Sequence, residues 1–303
     1  MSVRNQTEER AATEKNKTAD VDFAEVNEGK SDFDAVYNAP DPRGYCRTLS
    51  RLDYRIPAEA KPVFRSLIHA LQADGRESLR LIDLGCSYGI NAALLKYGMH
   101  LGGFFKRYTT PKIESAPSDV ILRRESAFFD SNTADDALEV IGIDVADHAL
   151  EFADSVGLLD DVVGQNLEEQ PLTDENRELL EGADLIISTG CVGYVTEKTF
   201  RRILDAAADG DDPPYVASFV LRMFPYEPIA DALADYGLMT EKLHDVTFRQ
   251  RRFESEDERN HVFEQLRAQG IDPDLEQDGY YHAEFFLSRP AHEARERPLG
   301  YLI

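Results

Sequence analysis

Eight consecutive residues concentrate the chemistry of this chain: Ile82-Asp83-Leu84-Gly85-Cys86-Ser87-Tyr88-Gly89 brings a carboxylate, a thiol, a hydroxyl and two glycines into one turn. Gly85 lets the backbone turn without a Cβ and lets a ligand lie against it, and Gly89 lets the following helix approach closely. The spacing argues against two phosphate cradles. A G-x-G-x-x-G fingerprint starting at Gly85 needs glycines where Ser87 and Ile90 stand, and no Gly-Lys-Ser/Thr follows for a Walker loop. Two further groups carry polar atoms at the ends of apolar runs. Ile141-Gly142-Ile143 ends on Asp144, and Leu185-Ile186-Ile187 runs into Ser188-Thr189-Gly190-Cys191-Val192-Gly193-Tyr194.

These residues need strands to carry them. Leu79–Leu84 is short, apolar and closed by a glycine, the pattern of a buried strand feeding a turn. Strands are expected again at 139–144, 162–165, 183–188, 215–221, 242–253 and 280–288. Helices are expected at 57–71, with Pro62 in the first turn, and at 91–99, 147–156 and 229–236. Thr196 can cap another, with Phe200, Ile203 and Leu204 on one face, and Ser255-Glu256-Asp257-Glu258 is a capping box opening one that Gly270 ends. The alternation predicts an α/β fold: a Rossmann-like, seven-stranded, mostly parallel sheet with helices on both faces and an antiparallel last strand. The first turn then lies at the carboxyl edge of the sheet, where open α/β sheets bind ligands.

The block Asp83-Leu84-Gly85-Cys86-Ser87-Tyr88-Gly89 resembles the D/E-x-G-x-G-x-G motif of class I methyltransferases, which use S-adenosylmethionine (SAM), with Ser87 in place of the middle glycine. The resemblance spans roughly residues 79–221. It implies that Asp83, Gly85, Cys86, Ser87 and Gly89 line the SAM site and that Asp144 binds both ribose hydroxyls; otherwise Asp144 is a helix-capping or surface residue. By the same resemblance Val145 packs on the adenine and Asn166 or Leu167, near Gln165 at the end of the third strand, touches its edge. Asn166 is alternatively a turn residue. Ser188, Thr189 and Gly190 then lie beside the transferred methyl. No N/D-P-P-Y/F signature occurs, so nothing points to amide or base-nitrogen methylation. Arg43 and Tyr54 are candidates for the methionyl carboxylate.

Methyl transfer from a sulfonium needs in-line positioning and exclusion of water more than it needs a base. The candidate bases or orienting groups are Tyr194 and His282 first, then His244 and Glu284. Period-two alternation puts His282 and Glu284 on one face of their strand, either at the pocket or on the solvent side of an edge. Arg249-Gln250-Arg251-Arg252 is the one dense basic cluster, either a grip for an anionic acceptor or an exposed face.

Gly85 and Asp144 stand 59 positions apart, so 100–138 reads as an irregular insertion, either a lid or pocket wall or else a solvent loop or oligomer contact. The expected organisation is an acidic disordered tail at 1–31, a helical cap at 32–78, the core at 79–290 with a second, helical insertion at 254–278, and a tail at 291–303. The chain carries 57 acidic and 33 basic residues, a formal net charge of −24. That balance disfavours nucleic acid and anionic membranes and suits either solubility or the steering of cations. Cys46, Cys86 and Cys191 have no metal-ligand or disulfide spacing. No apolar stretch reaches membrane-spanning length, so a cytoplasmic location is expected. The expected function is SAM-dependent methyl transfer to a small molecule. The alternatives are a protein or RNA acceptor, or a cofactor-binding member without catalysis; oligomeric state is left open.

Overall fold

The computed structural model describes Asn27, residues 34–208 and residues 212–303, so most of the expected tail at 1–31 lies outside the described residues. Seven strand positions form one sheet. In chain order the strands are β1 (Leu79–Leu84), β2 (Leu138–Ile143), β3 (Asp161–Val163), β4 (Leu185–Thr189), β5 (Tyr215–Leu221), β6 (Leu238–Lys242), β7 (Phe248–Arg252) and β8 (Tyr280–Pro290). Their spatial order is β3-β2-β1-β4-β5-β8-β6, with β7 also on β8. Strands β1 to β5 are parallel, and β8 runs antiparallel to β5 (Leu221 opposite Ala283).

The sixth strand differs from the continuous 242–253 segment expected. Apart from Lys242, the last residue of β6, only 248–252 of that run is strand, as β7 on the first residues of β8; β6 lies ahead of it and pairs with the far half of β8. Between them Asp245 adopts φ +62°, a left-handed turn that interrupts the ladder. Because β6 and β7 flank it, β8 is an interior strand and not the edge that a solvent-facing His282 required.

Ahead of the sheet come α1 (Asp34–Tyr37), α2 (Arg43–Arg51) and α3 (Ile56–Ala73). Pro57 occupies the first turn of α3, and Pro62 sits one turn later, inside the helix. Phe64, Leu67 and Leu71 bury its apolar stripe, with Phe64 edge-on to Phe219 of β5 at 5.4 Å. After β1 comes the short α4 (Ile90–Leu95).

The stretch expected to be irregular is instead helical: α5 (Leu101–Tyr108), α6 (Pro111–Glu114) and α7 (Ser118–Ser131). Its prolines start helices and do not break them, Pro111 in the first turn of α6 and Pro117 as the N-cap of α7. Leu101, Phe104, Phe105 and Tyr108 recur at helical spacing and are buried. A fully buried carboxylate, Glu125, holds the unit together. It accepts from Arg107 Nε (2.8 Å) and the Tyr108 hydroxyl (3.1 Å).

The remaining helices are α8 (Asp147–Ser155), α9 (Asp174–Leu180), α10 (Glu197–Ala207), α11 (Glu227–Ala234), α12 (Glu256–Ala268) and α13 (Ala291–Glu296). The segment expected as a C-terminal tail folds back onto the sheet: Leu299 and Leu302 are buried, and the Leu299 N–H donates to Glu241. Among the described residues no helix is long and apolar enough to cross a membrane.

Candidate functional site

The carboxyl edge of the parallel strands brings together the turn after β1, the acid after β2 and the loop after β4. Asp83 is the fifth residue of β1 and is fully buried. Its Oδ1 accepts from Asn91 Nδ2 at 2.9 Å, while Oδ2 has no partner. Burial pushes the carboxyl up to about 7; the Asn91 hydrogen bond pulls the other way, and the charge of Asp144 adds to the rise. The same Asn91 amide donates to Thr189 Oγ1 at 3.2 Å, tying the start of α4 to the end of β4.

Gly85 turns the chain at φ +75°, and a Cβ there would stand 2.8 Å from that of Cys191. This is why only glycine fits: the turn after β1 touches the loop after β4 at that atom. Cys86 is buried with its Sγ against Gly142 of β2. Ser87, where the motif has its middle glycine, takes φ +49°. It thus keeps the left-handed backbone that glycine would supply, at a cost of roughly 1 kcal/mol. Its N–H donates to Asp144 Oδ2 at 2.8 Å, and its buried Oγ has no partner. Gly89 caps α4 and packs on Leu158 and Ala153.

Asp144 lies one residue past β2, half-buried, with Oδ1 accepting from the Ala146 N–H at 3.0 Å. Val145 beside it is 63% exposed, which leaves an apolar surface free at the rim. Asn166 is exposed and closes its own turn, Oδ1 accepting from the Glu168 N–H at 3.0 Å. Leu167 is buried.

At the end of β4, Ser188 is fully buried and Thr189 half-buried. Gly190 takes φ +83° with Gln250 of β7 against its Cα, where a Cβ would meet Gln250 Nε2. Burial pushes the Cys191 thiol up to about 12, so it stays protonated and unreactive. Tyr194 is exposed, with Tyr37 and Tyr281 nearby. Asn27 donates to the Gly193 carbonyl at 2.6 Å.

A roof comes from the N-terminal helices and β7. The loop between α2 and α3 hydrogen-bonds to the free edge of β7, Arg55 N–H to the Gln250 carbonyl (2.7 Å) and Arg252 N–H to the Leu52 carbonyl (2.7 Å). Tyr54 is thereby set within electrostatic reach of Asp83 and Cys191, and burial pushes its phenol up to about 12. In β7, Arg249 faces His282 and Arg252 faces Tyr280, so Gln250 and Arg251 together oppose Tyr281. This β-bulge turns two successive side chains to one face. Arg251 is therefore buried, ion-paired to Glu258 at 2.7 Å and 4.8 Å above the Tyr281 ring. The basic cluster is not a uniformly exposed face.

Several sequence candidates lie elsewhere. His282 projects from the opposite face of β8 to Tyr281, held by Thr247 Oγ1 (3.1 Å) and Asp278 (3.2 Å). Glu284 pairs with Lys242 at 2.7 Å, and His244 is exposed. Arg43 is consumed by structure. It pairs with Asp41 (2.7 Å) and donates to the carbonyls of Ile113, Glu114 and Ala116, fastening the inserted helices to α2. Asn91 and Tyr37 were missed by sequence reasoning, while Gln250 and Arg251 were singled out only as part of the basic cluster. A polar Asn91 among Ile90, Ala92, Ala93, Leu94 and Leu95 was the available signal. No group of three metal-ligating side chains occurs among the described residues.

No family model and no curated protein matches the chain. Solved structures resemble it in shape. The plantazolicin methyltransferase BpumL, in complex with a monoazolic desmethyl analogue and SAH, is 9% identical over 88% of this chain and 97% of its own, with TM-score 0.43. A SAM-dependent methyltransferase from Aquifex aeolicus is 13% identical over 85% and 99%, with TM-score 0.38. Magnesium protoporphyrin IX methyltransferase from Synechocystis, with bound SAM, is 12% identical over 76% and 79%, with TM-score 0.36. In its strand order, with an antiparallel strand inserted beside β5, its glycine turn after β1 and its carboxylate after β2, the chain has the class I, Rossmann-like methyltransferase fold.

Proposed function

We propose that this protein transfers the methyl group of SAM to a small-molecule acceptor. One observation carries the reading: the Ser87 N–H donates to Asp144 Oδ2 at 2.8 Å, which fuses the turn after β1 and the acid after β2 into a single cradle. Each Asp144 oxygen spends one lone pair on a backbone N–H and keeps another for a ribose hydroxyl. The orphaned Asp83 Oδ2 and Ser87 Oγ supply a buried acceptor and a buried hydroxyl that suit the ammonium and carboxylate of a methionyl group. Val145 offers its exposed side chain to the adenine.

Bound SAM supplies a methyl already activated by the sulfonium charge. The protein's share is alignment and the exclusion of water. Gly190 abuts Gln250, and Tyr54 and Tyr37 stand within electrostatic reach of Asp83 and Asp144, which puts them on the far side of the cradle. Tyr194 is the favoured orienting residue, because His282 is engaged by Thr247 and Asp278 on the other face of β8. A roofed site on a chain of net charge −24 favours a discrete small acceptor over a phosphate backbone, and the same field draws in a cationic sulfonium.

The test is calorimetric binding of SAM to the wild type and to Asp144→Ala, followed by transfer of labelled methyl to a cell extract. Wild-type binding in the micromolar range is expected. Losing hydrogen bonds to a charged acceptor costs about 1.5–3 kcal/mol, so Asp144→Ala is expected to bind roughly tenfold to a hundredfold more weakly. Absence of SAM binding by the folded wild type refutes the reading.

A further inference from the structure

We propose that Asn91 is a positioning residue that sets the proton affinity of Asp83, so that a cationic ligand entering the turn after β1 displaces a proton from the Asp83 carboxyl. The inference rests on the SAM reading for the identity of that cation, and on the geometry of α4 and β1 for the rest.

Asn91 sits in the first turn of α4, 5% exposed, and its one amide nitrogen donates to both Asp83 Oδ1 (2.9 Å) and Thr189 Oγ1 (3.2 Å). Asp83 is fully buried and Oδ2 has no partner, so one neutral donor is all that stabilises its ionised form. The titratable groups facing it give no help. Asp144 beyond β2 is a second acid, Cys86 after β1, Cys191 after β4 and Tyr54 of the roof each carry no positive charge, and Arg251, the cation near Tyr54, is ion-paired to Glu258. A buried carboxylate in such surroundings holds a proton until a cation compensates it. The carboxyl is pushed up to about 7 by burial, despite Asn91. At neutral pH the ligand-free site is therefore a mixture of protonated and ionised forms. A ligand carrying ammonium and sulfonium charge selects the ionised form, and the displaced proton goes to solvent.

Two measurements test this. In the first, the carboxyl-carbon NMR signal of Asp83, assigned by its loss in Asp83→Asn, is titrated in the ligand-free protein. Titration near neutrality is expected, moving upward in Asn91→Leu, which removes the donor to Oδ1. In the second, SAM binding is followed calorimetrically in buffers of different ionisation enthalpy. With a carboxyl near 7, about half a proton is released at about pH 7 and nearly one at about pH 5.5, and affinity weakens roughly fifteenfold between them. This window lies below the titration of the ligand's own amino group, at about 7.7–8. Asp83→Asn is expected to release no proton and to lose the pH dependence.

Normal SAM binding with no proton release in the wild type overturns the inference and leaves the SAM reading standing. If SAM fails to bind at any pH, the SAM reading falls and the NMR titration decides alone. A carboxyl near neutrality that moves in Asn91→Leu then supports the role of Asn91. One that titrates with surface aspartates, or that ignores Asn91→Leu, overturns it.

Discussion

Replacing Asp83 by Asn is expected to stabilise the ligand-free protein at high pH and not at low pH. The carboxyl is raised from 3.8 to about 7, chiefly by burial. An acid with a raised folded-state pKa makes its full contribution to stability below the unfolded value, near pH 4. That contribution is lost as pH rises to about 7 and is flat above. About three pKa units at 1.36 kcal/mol each give an upper figure of about 4 kcal/mol at pH 8, and about 1.5 kcal/mol of it is already lost at pH 5. Because Asp83 is fully buried, its carboxyl is not screened by solvent. The Asn variant lacks this slope, so its advantage over the wild type grows by about 2–3 kcal/mol between pH 5 and pH 8. For a chain of this size that is about 5 °C in Tm. Thermal melts of both proteins across the pH range measure it. A difference in Tm that does not change with pH, or one that shrinks as pH rises, refutes the account of Asp83.

The other perturbations follow from single contacts. Gly190→Ala places a Cβ on Gln250 Nε2 at a backbone φ of +83°; the amide end swings away, so about 1–2 kcal/mol of backbone strain is expected in urea unfolding, and Gln250→Ala in the same chain does not relieve it. Arg43→Met removes the donors to the Ile113, Glu114 and Ala116 carbonyls; about 2–3 kcal/mol of destabilisation is expected, with faster proteolytic cleavage around residues 109–118. Ser87→Gly relieves a φ of +49° but adds unfolded-state freedom, so stability within about 0.5 kcal/mol of the wild type is expected; weaker SAM binding by this variant would identify Ser87 Oγ as a ligand contact, since the backbone N–H is retained.

The sheet was legible because its strands announce themselves twice, by apolar runs and by the polar residues that end them. Asp83 and Asp144 could be located from sequence because strand ends fix where a carboxylate stands. What could not be read was anything set by a partner distant in the chain. The burial of Arg251 depends on a bulge opposite Tyr281 and on Glu258, neither of which the run Arg249–Arg252 encodes locally. Likewise His282 and Glu284 do share a face by alternation, but which face meets the site depends on how β7 and β6 close over β8. The inserted helices were hidden for a different reason. Pro111, Pro117 and the pair Gly102-Gly103 are read as breakers when counted by type, whereas the prolines stand where a helix has no N–H to lose.

The roof over the cradle joins three segments far apart in sequence, and its connections have a direction. Backbone hydrogen bonds at Arg55 and Arg252 extend the sheet by one irregular strand-like segment, residues 52–55, beyond β7. Glu59 of α3 accepts the Arg249 N–H at 2.8 Å, so the first turn of that helix is pinned to the same edge. An edge satisfied this way does not present unpaired backbone groups to another chain, and Tyr54 cannot move without breaking bonds on both sides of it. Arg43 performs the equivalent task toward α6 and α7. The walls of the site are therefore held by backbone and buried polar contacts from the cap, while the cradle is held by the sheet. None of these cap residues takes part in the Ser87–Asp144 contact, which is made by the turn after β1 and the residue after β2 alone.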